Sequence, residues 1–179
     1  MRLLIASDLH GSLFYCEKLL DAFKAEGADR LLFLGDILYH GPRNDLPRDY
    51  EPKTVLRLLN EQREVLLCVR GNCDTEVDQM VLEFPILADY GVLLLGERLV
   101  YATHGHKYTP QNLPLKAGDI FLQGHTHVPM CREHNGILWL NPGSVSLPKE
   151  NSHHQYMLWE DGTFIWKDFA GSILQRITV

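Results

Sequence analysis

The sequence predicts an α/β protein in which two β-sheets pack together with helices outside them. Two observations lead to this prediction. In the first half, short apolar runs alternate with amphipathic segments, which is the pattern of parallel strands with crossover helices. In the second half, short strand-like segments follow one another between Gly, Pro and Asn-Gly turns. With 179 residues, the chain is expected to form a single domain over residues 1–179.

In the first half, the apolar runs have the length and composition of buried strands. They span residues 3–6, 31–34 and 65–69. A helix is predicted over residues 12–26, with Ser12 as its N-cap and Gly27 directly after its end. A second helix is predicted over 53–62, after a Pro- and Arg-rich loop at 40–52.

The second half is predicted to be built from strands and hairpins. Asn135-Gly136 and Asp161-Gly162 are typical two-residue hairpin turns. The predicted strands are residues 92–95, 99–102, 120–122, 128–131, 137–140, 155–159 and 163–167. A βαβ half followed by such a half indicates two sheets, since the added strands need a second layer to cover them.

Composition excludes several classes of protein. Lys and Arg number 17 against 23 Asp and Glu, giving a net charge of −6, so a broad basic surface for duplex nucleic acid is not expected. Four cysteines in a chain of this length do not form a disulfide scaffold. No run of about 18 apolar residues and no signal-like start occur, so we expect a cytoplasmic protein.

Side chains that can bind metals follow the predicted strands. They are Asp8, His10, Asp36, Asn72, His104, His125 and His127. In an extended backbone, residues two apart point to the same side, so D-x-H and H-x-H each present two ligands in one direction. Strand ends of a parallel sheet meet at one edge, where all these side chains could converge. Mixed imidazole, carboxylate and amide ligands suit Mn, Fe, Co or Zn.

These motifs, in this order, resemble the calcineurin-like metallophosphoesterase superfamily. The stretches ASDLHGS, LGDILYHGPRNDLP, VRGNCDTEVDQM, THGH, GHTHVP and NPGSVSLPK are similar to small bacterial phosphodiesterases of that superfamily, so the resemblance covers roughly residues 2–150. It implies a four-layer α/β/β/α sandwich of two mixed β-sheets flanked by helices. It also implies two divalent ions, with Mn expected first and Zn, Fe, Co or Ni as alternatives.

The resemblance further implies a ligand set and a reaction. One ion would take Asp8, His10 and His127. The other would take Asn72, His104 and His125, with Asp36 bridging the two. A hydroxide bridging the ions would attack the phosphorus of a small phosphodiester, with Asp36 and Asn72 as catalytic residues.

The sequence offers more than one candidate for the proton donor, because Cys73 stands where many members of the superfamily have histidine after the G-N pair. A thiol is a weaker acid than imidazolium, so we expect the fastest hydrolysis for esters of acidic alcohols. His40 could replace it as donor, bind the substrate or be an ordinary loop histidine. Arg43 and Arg70 could bind phosphate oxygens or belong to the surface, and His106 could contact the substrate or only support its neighbours.

We therefore predict a metal-dependent phosphodiesterase with a small-molecule substrate. Membrane association and nucleic acid partners are not expected, and a homo-oligomer is left open. The alternatives are a phosphomonoesterase or nuclease with the same centre, or a noncatalytic scaffold protein of the same fold. A scaffold would be expected to lack ligands, and here all of them are present.

Overall fold

The computed structural model describes residues 1–179 and contains two mixed β-sheets flanked by helices, as predicted. The helices are α1 (Leu13–Ala25), α2 (Pro52–Asn60) and α3 (Glu76–Val81). The strands are β1 (Leu3–Ala6), β2 (Arg30–Phe33), β3 (Leu66–Cys68), β4 (Tyr90–Leu95), β5 (Arg98–Thr103), β6 (Ile120–Leu122), β7 (Met130–His134), β8 (Ile137–Asn141), β9 (Gln155–Glu160), β10 (Thr163–Asp168) and β11 (Ile173–Thr178).

The first sheet has the strand order β11-β10-β9-β1-β2-β3. Strands β1, β2 and β3 are parallel, and β9 joins β1 antiparallel. Successive side chains of a strand point to opposite faces, so Leu4 and Ala6 pack with α1 and α2, whereas Leu3 and Ile5 pack toward the second sheet. Burial on both faces explains why these strands are continuous apolar runs in the sequence.

The second sheet has the order β4-β5-β6-β8-β7. Its strands β5, β6 and β8 are parallel, while β4 and β7 pair antiparallel with their neighbours. On its outer face, Leu113 packs on Tyr101 and Phe121, joined by the partly buried Tyr108 and Leu115. The segment 104–119 contains no helix, so an irregular chain covers this face.

The helix and turn signals of the sequence are confirmed locally. Ser12 caps α1, because its side chain accepts a hydrogen bond from the backbone N–H of Tyr15 at 3.3 Å. Asn135 and Gly136 both have positive φ, at 52° and 75°, as a type I′ hairpin turn requires. No helix in the structure has both the length and the apolar character needed to cross a bilayer.

Two elements are absent from the sequence prediction, α3 and β11. Helix α3 has only six residues, and Thr75 and Asp78 form a capping box at its start. That T-x-x-D pattern was the available signal. Strand β11 is almost entirely exposed, so it lacks the apolar run by which buried strands are identified.

The topology brings the carboxyl ends of several parallel strands to one edge of the sandwich. Strands β1, β2 and β3 end just before Asp8, Asp36 and Asn72 in the chain. In the second sheet, β5 and β6 are parallel and end just before His104 and His125. This common edge is where open α/β folds place their sites.

Candidate metal centre

The structure brings all the predicted ligands together at this edge. Donor atoms in three overlapping groups lie within 4.8 Å of one another: Asp8, His10 and His127; Asp8, Asp36 and His104; and His10, Asp36 and Cys73. Asn72 Oδ1 lies 3.0 Å from His104 Nε2, and His125 Nδ1 lies 3.2 Å from the same nitrogen. Side chains from distant parts of the chain therefore form one cluster.

Asp36 stands between the two halves of this cluster. Its Oδ2 atom lies 3.7 Å from His10 Nε2 and 3.4 Å from His104 Nε2. Its other oxygen, Oδ1, accepts the backbone N–H of Cys73 at 2.8 Å. One carboxylate therefore faces the histidines of both halves, which is the placement that a bridging ligand needs.

Backbone carbonyls orient three of the histidines. His10, His104 and His127 each direct Nδ1 at a carbonyl oxygen. The acceptors are Tyr39, Leu34 and Leu147, at 2.7, 2.5 and 2.6 Å. Because Nδ1 then carries the proton in the neutral ring, Nε2 presents a lone pair to the cluster, as in metal-bound histidines held by outer hydrogen bonds.

The donor atoms fit bound cations. His10 Nε2 and His127 Nε2 are only 3.3 Å apart, and two lone pairs at this distance repel unless a positive charge lies between them. Asp8 Oδ1 is buried without a hydrogen-bond partner and lies 3.3 Å from His127 Nε2. Since a buried carboxylate oxygen is costly to leave unpaired, this atom is also suited to bind a cation.

The electrostatics of the cluster point the same way. Burial alone would raise the pKa of Asp8, but the imidazoles of His10 and His127 beside it and the charge of His104 hold that pKa well below its usual value. Burial likewise opposes the charged form of His104, but Asp36 and Asp8 raise the pKa of that imidazole to about 9. The carboxylates thus favour positive charge where ions would bind.

The backbone of the D-x-H and H-x-H motifs is not extended, although the sequence predicted it to be. Asp8 and His10 have φ of 59° and 50°, and His125 and His127 have φ of 65° and 61°. These residues have left-handed backbone conformations beyond the strand ends, whereas side chains two apart point to the same side only in extended backbone. The convergence is as predicted, but turns produce it.

Sequence reasoning missed a buried carboxylate that supports the site, Asp74. It accepts the backbone N–H groups of Asp36 at 2.8 Å, Ile37 at 3.0 Å and Gly71 at 2.7 Å. These bonds join the loop after β2 to the loop after β3. The position of Asp74 next to Cys73 was the only signal, because two of its three partners, Asp36 and Ile37, are distant in the chain.

The turn after β8 also supports the centre and was not predicted to do so. The hydroxyls of Ser144 and Ser146 donate to the carbonyl oxygen of Asp8 at 2.9 and 3.1 Å. Asn141 Nδ2 donates to the carbonyl of Gly124 at 2.8 Å. Together they fix the backbone at Asp8 and the start of the H-x-H segment.

Close approach explains two glycines at the site. A side chain at Gly71 would overlap the carboxylate and backbone nitrogen of Asp36, and one at Gly124 would overlap the hydroxyl of Ser7. That hydroxyl donates to Asp8 Oδ2 at 2.6 Å. Glycine at both positions therefore lets the loops close around the two carboxylates.

A cavity of about 570 Å³ opens onto the cluster. Among the predicted site residues, its walls include Asp36, Asn72, Cys73, His125, His127 and Arg43. Cys73 is nearly buried, and burial together with the nearby charges of Asp36 and Asp74 raises the pKa of its thiol to about 12. Its thiol is thus a weak acid at the edge of the centre.

The structure does not bring His40, Arg70 or His106 to the walls of this cavity. The ring of His40 packs edge-on against Tyr39 and Tyr50, with centroid distances of 4.8 and 5.2 Å.

Arg70 and His106 have other contacts. Arg70 donates to the carbonyl of Asp74 at 3.1 Å and pairs with Glu76 at 3.2 Å. His106 packs edge-on against His104 at 5.3 Å and so supports that ring from outside the cavity.

Comparisons with known proteins agree with this architecture. The sequence profile of the calcineurin-like phosphoesterase superfamily domain matches residues 1–161. Phosphodiesterase YfcE of Escherichia coli K12 is 48% identical over 157 residues, covering 87% of this chain and 85% of that protein. The solved structure of the E. coli phosphoesterase YfcE superposes with a TM-score of 0.95 at 43% identity and covers 99% of both chains.

A more distant structure shares the fold alone. Vps29 from Entamoeba histolytica, solved in complex with zinc, superposes with a TM-score of 0.59 at 20% identity, with 99% of each chain covered. The two-sheet architecture is thus common to chains of very different sequence.

Proposed function

This chain belongs to the calcineurin-like phosphoesterase superfamily, and we propose that it hydrolyses a small phosphodiester at a centre of two divalent metal ions. The observation that carries the proposal is the set of donor atoms converging on Asp36, with Asp8 Oδ1 unpaired and the Nε2 atoms of His10 and His127 facing each other. Such a set is difficult to explain without cations.

The proposed ligands divide into two groups around Asp36. Asp8, His10 and His127 would hold one ion. Asn72, His104 and His125 would hold the other, with Asp36 shared. Divalent ions in centres of this kind polarise phosphoryl oxygens and supply a nucleophile from water at neutral pH.

The chain's own part in the reaction is to position and to balance charge. Asp8 and Asp36 contribute two negative charges where two divalent ions would bring four positive ones, so the centre would keep a net positive charge for an anionic phosphodiester. The bonds of Asp74 and Ser144 hold these carboxylates in place. Local charge thus allows a chain of net charge −6 to bind an anion.

Manganese is our first choice of metal, as the resemblance implies, with Zn, Fe, Co and Ni as alternatives. Imidazole, carboxylate and amide ligands suit these ions better than a metal that prefers thiolates. The cysteines form no disulfide, which supports our placing the enzyme in the reducing cytoplasm. We treat residues 1–179 as one domain, and the support is that the C-terminal strands β9 to β11 complete the sheet that begins with β1.

The test is a metal-resolved assay with paired chromogenic esters, bis(4-nitrophenyl) phosphate and 4-nitrophenyl phosphate. Metal-stripped protein should be inactive, Mn²⁺ should restore hydrolysis of the diester, and Asp36→Asn should reduce it at least about 100-fold, since even outer-shell changes cost about 10–100-fold. The matched control is Asp21→Asn, an exposed aspartate on α1.

Diester hydrolysis that persists without metal, or that survives Asp36→Asn at the level of Asp21→Asn, would contradict the proposal. A clear preference for the monoester would retain the centre but change the reaction to that of a phosphomonoesterase.

A further inference from the structure

We infer that the substrate carries a second negative group, a carboxylate or a phosphate on one of its esterified alcohols, and that Arg43 and Lys149 bind it. The inference rests on the proposed function, because it concerns the part of the same cavity that the reacting phosphodiester does not fill. Both side chains lie on the walls of the cavity beside the metal-binding cluster.

The positively charged side chains of Arg43 and Lys149 come from two different loops beside the centre. The loop carrying Arg43 passes Cys73 so closely that a side-chain carbon at Gly41 would lie 3.1 Å from its sulfur. In the other loop, the backbone N–H of Lys149 donates to the carbonyl of His127 at 3.2 Å. Both positive side chains therefore line the same cavity as the metal-binding cluster.

No side chain of the protein neutralises the positive charge of Arg43 or Lys149. The side chains of Arg43 and Lys149 make no ion pair or hydrogen bond in the structure, and both residues are exposed. Asp36 is the carboxylate on the cavity walls, and it is directed at the histidines. The charge of both side chains is therefore available to a ligand, and charge-assisted hydrogen bonds are stronger than neutral ones.

The size and lining of the cavity indicate what kind of substituent fits. A volume of about 570 Å³ is within the range of small-molecule pockets, so there is room for a group besides the phosphoryl centre. The walls hold no Phe, Tyr or Trp on which a nucleobase could stack, but they do offer the polar side chains of Asn44 and Thr126. A compact anionic substituent suits these walls better than an apolar or aromatic one.

The test compares three diesters with the same 4-nitrophenolate leaving group. The second alcohol is methanol, glycolate or 2-hydroxyethyl phosphate. The three diesters therefore carry no added charge, an added carboxylate and an added phosphate, respectively. With Mn²⁺-loaded protein, we expect kcat/KM to be at least about fivefold higher for the two diesters with added charge than for the methyl diester. The double variant Arg43→Gln/Lys149→Gln should bring this ratio of kcat/KM values close to one.

The matched control is the double variant Arg57→Gln/Lys24→Gln, which removes the same charge from exposed positions on α2 and α1. This control should preserve the ratio. Equal kcat/KM for diesters with and without the added charge in the wild type, or an equal loss of the ratio in both double variants, would overturn the inference.

If none of the diesters is hydrolysed, the proposed function is refuted. Binding measurements then still test whether Arg43 and Lys149 bind a second negative group. Calorimetric titration with ethyl methylphosphonate, which has one negative charge, and with carboxymethyl methylphosphonate, which has two, should give tighter binding of the second probe. Arg43→Gln/Lys149→Gln should abolish the difference. Equal affinities for the two probes would overturn the inference whatever the activity.

Discussion

At the scale of single residues, the centre is held in strained backbone. Asp8, Asp36 and His127 all have φ near 60°, a conformation that costs a side-chain-bearing residue about 1–3 kcal/mol. Hydrogen bonds from neighbouring loops stabilise it, for example those from Ser144 to the carbonyl of Asp8 and from Asp74 to the loop of Asp36. These hydrogen bonds therefore fix the backbone that carries the donor atoms.

One residue-scale prediction concerns Asp74. Replacing it by Asn leaves one carbonyl oxygen for three backbone N–H donors and turns an amide N–H₂ toward them. We expect Asp74→Asn to lower the free energy of unfolding by about 2–3 kcal/mol, because buried donors lose their acceptor. Urea denaturation measures this, with Asp21→Asn as the exposed control. A change no larger than that of the control would show that the bonds to Asp74 do not stabilise the site.

A second residue-scale prediction concerns the leaving group. Cys73 is the candidate proton donor on the cavity wall, and a thiol is a weaker acid than the imidazolium of a histidine, so it protonates a leaving alkoxide poorly. General acid catalysis is worth about 10²–10⁴-fold, so a dialkyl phosphate should be hydrolysed at least about 100-fold more slowly than an aryl ester. Steady-state kinetics with esters of a series of leaving alcohols checks this. Cys73→His should reduce the dependence of the hydrolysis rate on the acidity of the leaving alcohol. Equal rates across the series would contradict the prediction.

At the scale of elements, a cluster at the end of α1 joins the helix to the first sheet. Glu26 Oε1 accepts the phenol of Tyr156 at 2.7 Å and forms an ion pair with Lys167. The guanidinium of Arg2 donates to the carbonyl of Glu26 at 2.7 Å. Strands β9 and β10 and the start of the chain are thus fixed to one helix end.

This cluster predicts a pH dependence of stability. Burial alone would raise the pKa of Glu26, but the bonds from Lys167 and Tyr156 lower it below its usual 4.5. The folded state therefore gains stability above about pH 4.5 and loses it as pH falls through the lowered pKa. Glu26→Gln should cost about 1 kcal/mol at pH 7 and less near pH 3.

Urea denaturation of both proteins from pH 3 to pH 7 measures this difference, with Glu17→Gln on α1 as the matched control. A cost that stays constant over this range would show that ionised Glu26 does not stabilise the fold.

The sequence predicts an element when neighbouring residues determine it, and it fails when contacts between distant residues do. Strand β1 and the cap at Ser12 were predicted because local apolar runs and capping patterns determine them. Helix α3 and strand β11 were missed because one is short and the other is exposed. Asp74 and Ser144 were missed because their partners are distant in the chain, so no spacing rule reveals them.

At the scale of the whole molecule, two sheets are needed to build one site. Asp8, Asp36 and Asn72 follow strands of the first sheet, while His104 and His125 follow strands of the second. The buried layer between the sheets, which includes Ile5, Leu32 and Val100, sets the distance between these two sets of side chains. Packing of the core therefore determines the geometry of the centre.

The most direct measurement is the anomalous diffraction of crystals soaked in Mn²⁺. We expect two peaks at the edge of the sandwich, about 3.5–4 Å apart. One should lie among Asp8, His10 and His127, the other among Asn72, His104 and His125, and both should be in contact with Asp36. A single peak, or peaks away from these side chains, would contradict the account.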